Sequence, residues 1–268
     1  MGTLVRTSKF LSAARDINGI VTITMRRPPL NRMNLEFMSE FSNVLRDLER
    51  DNCPGAILTS YSNKVFSAGF DIGELCNPEP ERFNDFYTEV QNNWTQLYGS
   101  TFPTVAVING HAMAAGCLLA LSCDYRVMIK NRTIGYNEMQ MGLATPTWFT
   151  ATMLNTVGHR HTELGVTLGK MFTTDEALNI NLIDCVADSK EEGIQKALSF
   201  LEKFTHFLPK SYTFAKHSLR GPFIKQLKEN QNEETQLAFR FLKDPEVIKK
   251  LEIVKDKEQT QFLTSKVA

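Results

Sequence analysis

Runs of β-branched residues alternate along this chain with stretches whose apolar side chains recur every three or four positions. Gly19-Ile-Val-Thr-Ile-Thr-Met25 has the composition of a strand, and Pro28-Pro29 breaks it. From Asn34 onward, Phe37, Phe41, Val44, Leu45 and Leu48 fall at helical spacing. Asn34 is placed to cap that helix, and Glu36 lies in its first turn, near the positive end of the dipole. After the turn Asp51-Asn-Cys-Pro-Gly55, the runs Ala56–Thr59, Val105–Ile108 and Tyr125–Ile129 read as buried strands, and Ala115–Ser122 reads as a short apolar helix. The largely polar stretch 77–101 receives no element. No β-rich run follows Val186, and Val247, Ile248, Leu251 and Val254 mark one face of a Lys- and Glu-rich helix after Pro245. This order predicts an α/β fold with parallel pairing, and two parts: a core over 1–200 and a helical unit over 201–268.

Composition narrows the function. The 268 residues carry 30 Lys+Arg against 30 Asp+Glu, so the formal net charge is zero. A nucleic-acid binder would need a clustered basic excess, so none is expected as a partner. The longest nearly apolar run, Ala112 to Leu121, is too short to span a bilayer, and no membrane insertion is expected. Five scattered cysteines, with no C-x-x-C pair and no histidine at ligand spacing, predict buried thiols in a reducing compartment and no metal. The first fifteen residues hold Arg6, Lys9 and Arg15 and no acid before Asp16, which resembles the tail of an organelle transit peptide.

Two segments stand out chemically: Phe66-Ser-Ala-Gly-Phe-Asp71 and Asn109 through Asp124. Both place small residues where a strand gives way to a loop or helix. There a ligand can approach the backbone closely, and free N–H groups at a helix start favour a negative oxygen. The G-x-S-x-G elbow, the phosphate-binding loop, the dinucleotide fingerprint and H-E-x-x-H are all missing.

In combination, Phe66-Ser-Ala-Gly-x-Asp71 and Ile108-Asn-Gly-x-Ala-x-x-x-Gly-Cys-x-x-Ala-x-x-Cys-Asp124 resemble the crotonase (enoyl-CoA hydratase/isomerase) superfamily. Pro28-Pro-Leu-Asn31 and Asn137-Glu-Met-Gln-Met-Gly142 extend the likeness, which runs from about residue 15 to 255. The resemblance implies a spiral of ββα units followed by helices that assemble a homotrimer. It implies an acyl-CoA thioester substrate, coenzyme A being part of that substrate and no separate cofactor being needed. It also implies an oxyanion hole made by the backbone amides of Phe70 and Ala115, with Ser67, Ala68, Gly69, Asp71, Gly116, Leu118, Trp148 and Phe149 around the substrate. Hydratases of this superfamily carry two glutamates; here the first position is Leu118 and the second is Glu138. One carboxylate suits a proton shuttle that moves a double bond from the 3- to the 2-position in β-oxidation.

Asn31-x-x-x-Leu-Glu-Phe37 and Pro146-x-Trp148 are similar to the isomerase members, which implies a mitochondrial matrix location. Ser265-Lys-Val-Ala268 is not a peroxisomal address. Two other readings stay open at this point: an enoyl-CoA hydratase, and a catalytically silent acyl-CoA-binding homologue.

Overall fold

A computed structural model describes the backbone of residues 3–267 and the side chains of residues 6–257. Its larger sheet contains Thr3–Thr7 (β1), Leu11–Arg15 (β2), Val21–Met25 (β3), Ala56–Ser60 (β4), Thr104–Ile108 (β6), Tyr125–Ile129 (β8) and Cys185–Ala187 (β11), in the order β1-β2-β3-β4-β6-β8-β11. The first two pairings are antiparallel and the remaining four are parallel. Every residue of β4 and β6 is buried, as expected of central parallel strands covered on both faces. Their side chains alternate. Ile57, Val105, Val107 and Val127 pack under the helix Lys190–Glu202 (α7), while Leu58, Ala106, Ile108 and Met128 face the main core.

A smaller sheet takes the order β10-β9-β7-β5, from Val65–Ser67 (β5), His111–Met113 (β7), Thr133–Gly135 (β9) and Phe172–Thr173 (β10). From β4, β6 and β8 of the large sheet the chain adds a short strand to the small one and then turns into a helix. Thus β4 and β5 lead to Ile72–Leu75 (α2) and Pro80–Tyr98 (α3), and β6 and β7 lead to Ala115–Ser122 (α4). β8 and β9 lead to a 3₁₀ turn at Glu138–Met141 and then to Thr147–Thr167 (α5). This is the ββα spiral that the resemblance implied. Leu35–Arg50 (α1) starts as the sequence indicated, with the Asn34 side chain accepting from Phe37 N–H at 3.1 Å.

Two expectations need correction. The basic segment 3–15 is folded: β1 and β2 form an antiparallel hairpin on the large sheet, and Phe10, Leu11 and Ala13 are buried. The polar stretch 77–101 holds α3, whose Phe83, Phe86, Tyr87, Val90, Trp94 and Leu97 form a continuous buried face among Asn, Gln and Thr. A smaller difference concerns the thiols, since Cys76 and Cys185 are only half-buried.

After Thr174–Asn179 (α6) and β11 the described chain is helical, with α7, Pro209–Leu242 (α8) and Pro245–Val267 (α9). Leu227, Leu242, Val247 and Leu251 join the main hydrophobic cluster, so these helices share its core. A buried polar knot anchors α8. Asp124 accepts from Thr104 N–H at 2.8 Å, Tyr212 at 2.8 Å and Lys216 at 3.0 Å, with Arg220 at 3.2 Å. Burial acts to raise the Asp124 carboxyl, and the two cations outweigh it and hold it below its usual range. No helix among the described residues is long and apolar enough to cross a membrane.

Candidate active site

The strands β5, β7 and β9 lie side by side and parallel, so the chain leaves all three from the same edge of the small sheet. Within two or three residues of those exits come Phe70, Ala115 and Glu138. Crevices beyond the carboxyl ends of parallel strands are where α/β folds place ligands. Direct contacts join the three exits. A side-chain carbon on Gly69 would lie 2.9 Å from the Ala114 methyl and 3.3 Å from Ala115 N, and Ala114 N–H donates to Gly135 O at 3.0 Å.

Buried backbone N–H groups almost always find a partner, so the exceptions are informative. In the first turn Ala68 N–H donates to Leu30 O, Gly69 N–H to Ser67 Oγ, and Asp71 N–H to Met33 O. Phe70 N–H, between them, meets no acceptor in the described structure. Ala115 N–H opens α4, where the first turn lacks intrahelical acceptors, and it too meets none. Ala114 takes φ 51° and ψ −125°, a conformation that favours glycine. The strain therefore falls one residue before the amide, and the ψ of Ala114 sets the plane of the peptide that carries it. Holding a non-glycine residue there costs about 1–3 kcal/mol.

Glu138 is 6 % exposed, and its Oε2 accepts no hydrogen bond. Burial pushes its carboxyl from the ordinary 4.5 up to about 7, while its own backbone amide pulls the other way. The residue lines a cavity of about 230 Å³ together with Arg32, Ala68, Phe70, Ala114 and Phe149. The remaining wall is mostly apolar, drawn from the segment 141–147 and from Leu237, Ala238, Phe241 and Leu242 at the end of α8.

The other residues singled out by sequence divide in two. Ala68 and Phe149 line the cavity. Ser67, Gly69, Asp71, Gly116, Leu118 and Trp148 are not among its lining residues, and neither is Ala115, although the preceding Ala114 is. Ser67 Oγ donates to Asn31 O and accepts from Gly69 N–H, fixing the turn. Gly116 packs so closely on Ser67 that a side-chain carbon there would fall 2.4 Å from the Ser67 carbonyl oxygen. Asp71 caps α2 through Gly73 N–H and pairs with Arg27 at 2.6 Å. Leu118 is buried in α4, and Trp148 packs edge-on against Phe149.

Sequence reasoning missed Arg32, Tyr87 and the α8 residues. The helical spacing of Phe83, Tyr87, Val90, Trp94 and Leu97 was the available signal for Tyr87. A second acid, Glu234, also reaches the cavity; it accepts from the Thr147 hydroxyl, and the Tyr87 phenol is raised by burial first and by the Glu234 charge second.

The family model described as enoyl-CoA hydratase/isomerase matches residues 15–264. The mouse protein named mitochondrial enoyl-CoA delta isomerase 1 is 35% identical over 242 residues, covering 89% of this chain and 83% of the relative. The crystal structure of human mitochondrial Δ3-Δ2-enoyl-CoA isomerase superposes with a TM-score of 0.91 at 32% identity, over 94% of this chain and 99% of that one. An enoyl-CoA hydratase from Bacillus halodurans shares the fold at a TM-score of 0.83 and 23% identity, over 91% of this chain and 100% of that one. With the three strand exits meeting at one cavity and this extent of similarity, the chain belongs to the enoyl-CoA hydratase/isomerase family.

Proposed function

We propose that this protein is a Δ3,Δ2-enoyl-CoA isomerase that moves the double bond of a 3-enoyl-CoA to the 2-trans position during fatty-acid β-oxidation. The observation that carries this reading is Glu138, a buried carboxylate without a hydrogen bond on Oε2, in an apolar cavity whose wall includes the Phe70 turn. Ionised Glu138 takes a proton from C2, which is acidified by both the thioester and the adjacent alkene. The electron pair moves onto the thioester oxygen, where the Phe70 and Ala115 amides stabilise the dienolate. Protonated Glu138 then returns its proton to C4, and the double bond closes between C2 and C3. Donors that need no reorganisation are worth about 10²–10³ in rate each, and a positioned acid–base about 10²–10⁴. The reaction consumes no water, oxidant or reductant, so it calls for no cofactor beyond the coenzyme A of the substrate.

Hydration would need a second carboxylate to hold water beside Glu138. Leu118 cannot do so, and Glu234 is engaged with Thr147 and acts on Tyr87. Incubation with trans-3-hexenoyl-CoA and, separately, with crotonyl-CoA and water decides between the readings. Isomerisation without comparable hydration is expected. Hydration at a similar rate overturns the proposal, and bound acyl-CoA without turnover of either substrate supports the silent homologue.

We further propose that 201–268 acts as the oligomerisation unit of a homotrimer, supported by Phe207, Leu208, Phe214 and Leu219, which are exposed by 60, 73, 76 and 76 %. We also propose a location in the mitochondrial matrix; the names of the relatives support the mitochondrion.

A further inference from the structure

The turn that carries the Phe70 amide contains Gly69 at φ 83°. Beside a glycine a peptide plane rotates at little cost, and a flip would turn the N–H away from the cavity and bring a carbonyl in its place. Something must hold this turn. From one side the segment 30–33 does so: Leu30 O accepts from Ala68 N–H, Met33 N–H donates to Gly69 O, and Met33 O accepts from Asp71 N–H.

That ladder leaves the carbonyls of Ala68 and Phe70 unaddressed, and one side chain addresses both. Arg32 Nη1 donates to Ala68 O at 3.1 Å and to Phe70 O at 2.8 Å. With these bonds the carbonyls of 68, 69 and 70 and the amides of 68, 69 and 71 are all engaged, and the Phe70 N–H alone is left to the cavity. Arg32 lines that same cavity. Its guanidinium is largely out of water, and burial lowers it to about 10, so it stays protonated near neutral pH. Charge-assisted bonds from a planar, rigid group are stronger and more directional than neutral ones.

We infer that Arg32 is a positioning residue for catalysis: by pinning the carbonyls on either side of Gly69–Phe70 it aims the Phe70 N–H at the developing enolate oxygen. The inference rests on the isomerase reading for its reaction but not for its geometry. Arg32 acts through Phe70, so it affects the enolate more than the neutral thioester. Losing the clamp should cost less than losing a donor outright, about tenfold to a hundredfold in kcat.

The test uses Arg32→Met and Arg32→Lys in the full chain, with three readouts. Isomerase kcat and KM are measured with trans-3-hexenoyl-CoA. Binding of the saturated hexanoyl-CoA reports the ground state. Binding of acetoacetyl-CoA, whose 1,3-dicarbonyl ionises to an ultraviolet-absorbing enolate, reports the donors directly. For Arg32→Met the expectation is a tenfold to hundredfold lower kcat, hexanoyl-CoA affinity within about twofold, and a matching loss of the enolate band at saturation. Arg32→Lys keeps a charged nitrogen with donors for both carbonyls but on a shorter, flexible stem that orients it less firmly, and falls between.

An unchanged kcat and enolate band in Arg32→Met overturn the inference. A raised KM and weakened hexanoyl-CoA binding with kcat preserved also overturn it, because Arg32 would then be gripping the coenzyme. If the wild type gives an Arg32-dependent enolate band but no isomerisation, the clamp stands and the isomerase reading falls.

Discussion

Replacing Glu138 by Gln should make the protein more stable as the pH rises, relative to the wild type. The Glu138 carboxyl has an ordinary value of 4.5 and is raised by burial to about 7. The folded state therefore holds this proton more tightly than the unfolded state does. Between those two values the unfolded chain has released its proton and the native protein has not, so wild-type stability falls as pH climbs. The difference of about 2.5 on the pH scale, at about 1.4 kcal/mol per pH unit, amounts to about 3 kcal/mol once both states are ionised. Glutamine does not titrate and escapes this loss, although its buried amide carries a constant cost of its own. The informative quantity is thus the stability of Glu138→Gln minus that of the wild type, which should grow by about 2–3 kcal/mol from pH 5 to pH 8 and then level off. Urea unfolding at fixed protein concentration measures it, with equal m-values as the control. A flat difference, or one that shrinks with pH, would mean that the carboxylate is hydrated or ion-paired, and the case for a desolvated proton shuttle would fail with it.

In the proposed reaction the same ionisation governs turnover: kcat/KM for trans-3-hexenoyl-CoA should fall about tenfold per pH unit below about 7 and be flat just above it, because that mechanism needs ionised Glu138 to take the C2 proton. Ala114→Gly removes the positive-φ strain and adds glycine's unfolded-state entropy, for a net gain of about 1 kcal/mol with activity kept; a loss of stability in chemical denaturation would refute the strain. Gly116→Ala places a carbon 2.4 Å from the Ser67 carbonyl and should abolish activity along with several degrees of Tm, whereas unaffected kinetics would show that the two turns need not touch. Asp124→Ala strands Lys216 and Arg220 under α8 and should cost about 3–5 kcal/mol without changing the kcat of the folded fraction, as unfolding curves and active-site-normalised rates would reveal.

The spiral was readable in the sequence where burial on both faces imposes continuous apolar runs. Val105–Ile108 and Tyr125–Ile129 sit in the sheet almost residue for residue, and Asn34 caps α1 where its side-chain chemistry suggested. α3 escaped because its buried face is spread thinly among polar residues, so that local polarity masked the helical spacing. β1 and β2 escaped because Arg6, Lys9 and Arg15 gave the segment the look of a leader, when Arg6 in fact reaches Asp47 and the alternate residues Leu11 and Ala13 point inward. For the candidate site, small residues at the ends of strands pointed to the turns of Phe70 and Ala115, whose amides meet no acceptor among the described residues. Nothing local could have revealed that the positive φ would fall on Ala114, since alanine resists it. Arg32 and the α8 wall are brought in by tertiary closure, across 36–38 residues in the bonds of Arg32 to the Phe70 turn, and single-segment patterns carry no trace of such distances.

Three local defects that a stability-optimised chain would avoid meet at this one cavity. Among the described residues Glu138 keeps an oxygen without a hydrogen bond in an apolar wall, the amides of Phe70 and of Ala115, which follows the lining residue Ala114, meet no acceptor, and Ala114 sits in a glycine conformation. Each is costly in isolation, whereas the nearby Asn31, with φ 48°, engages Arg27, Ser60, Phe66 and Ser67 at once. At the cavity the shortfall is directional. The missing partners are an acceptor for two N–H groups and a proton for one carboxylate. A thioester with an acidic C–H beside its carbonyl carries both, and it gains most when that proton has crossed to Glu138 and the charge has reached the amides. Complementarity to that charge-separated arrangement, in preference to the neutral substrate, is the condition under which binding energy appears as rate.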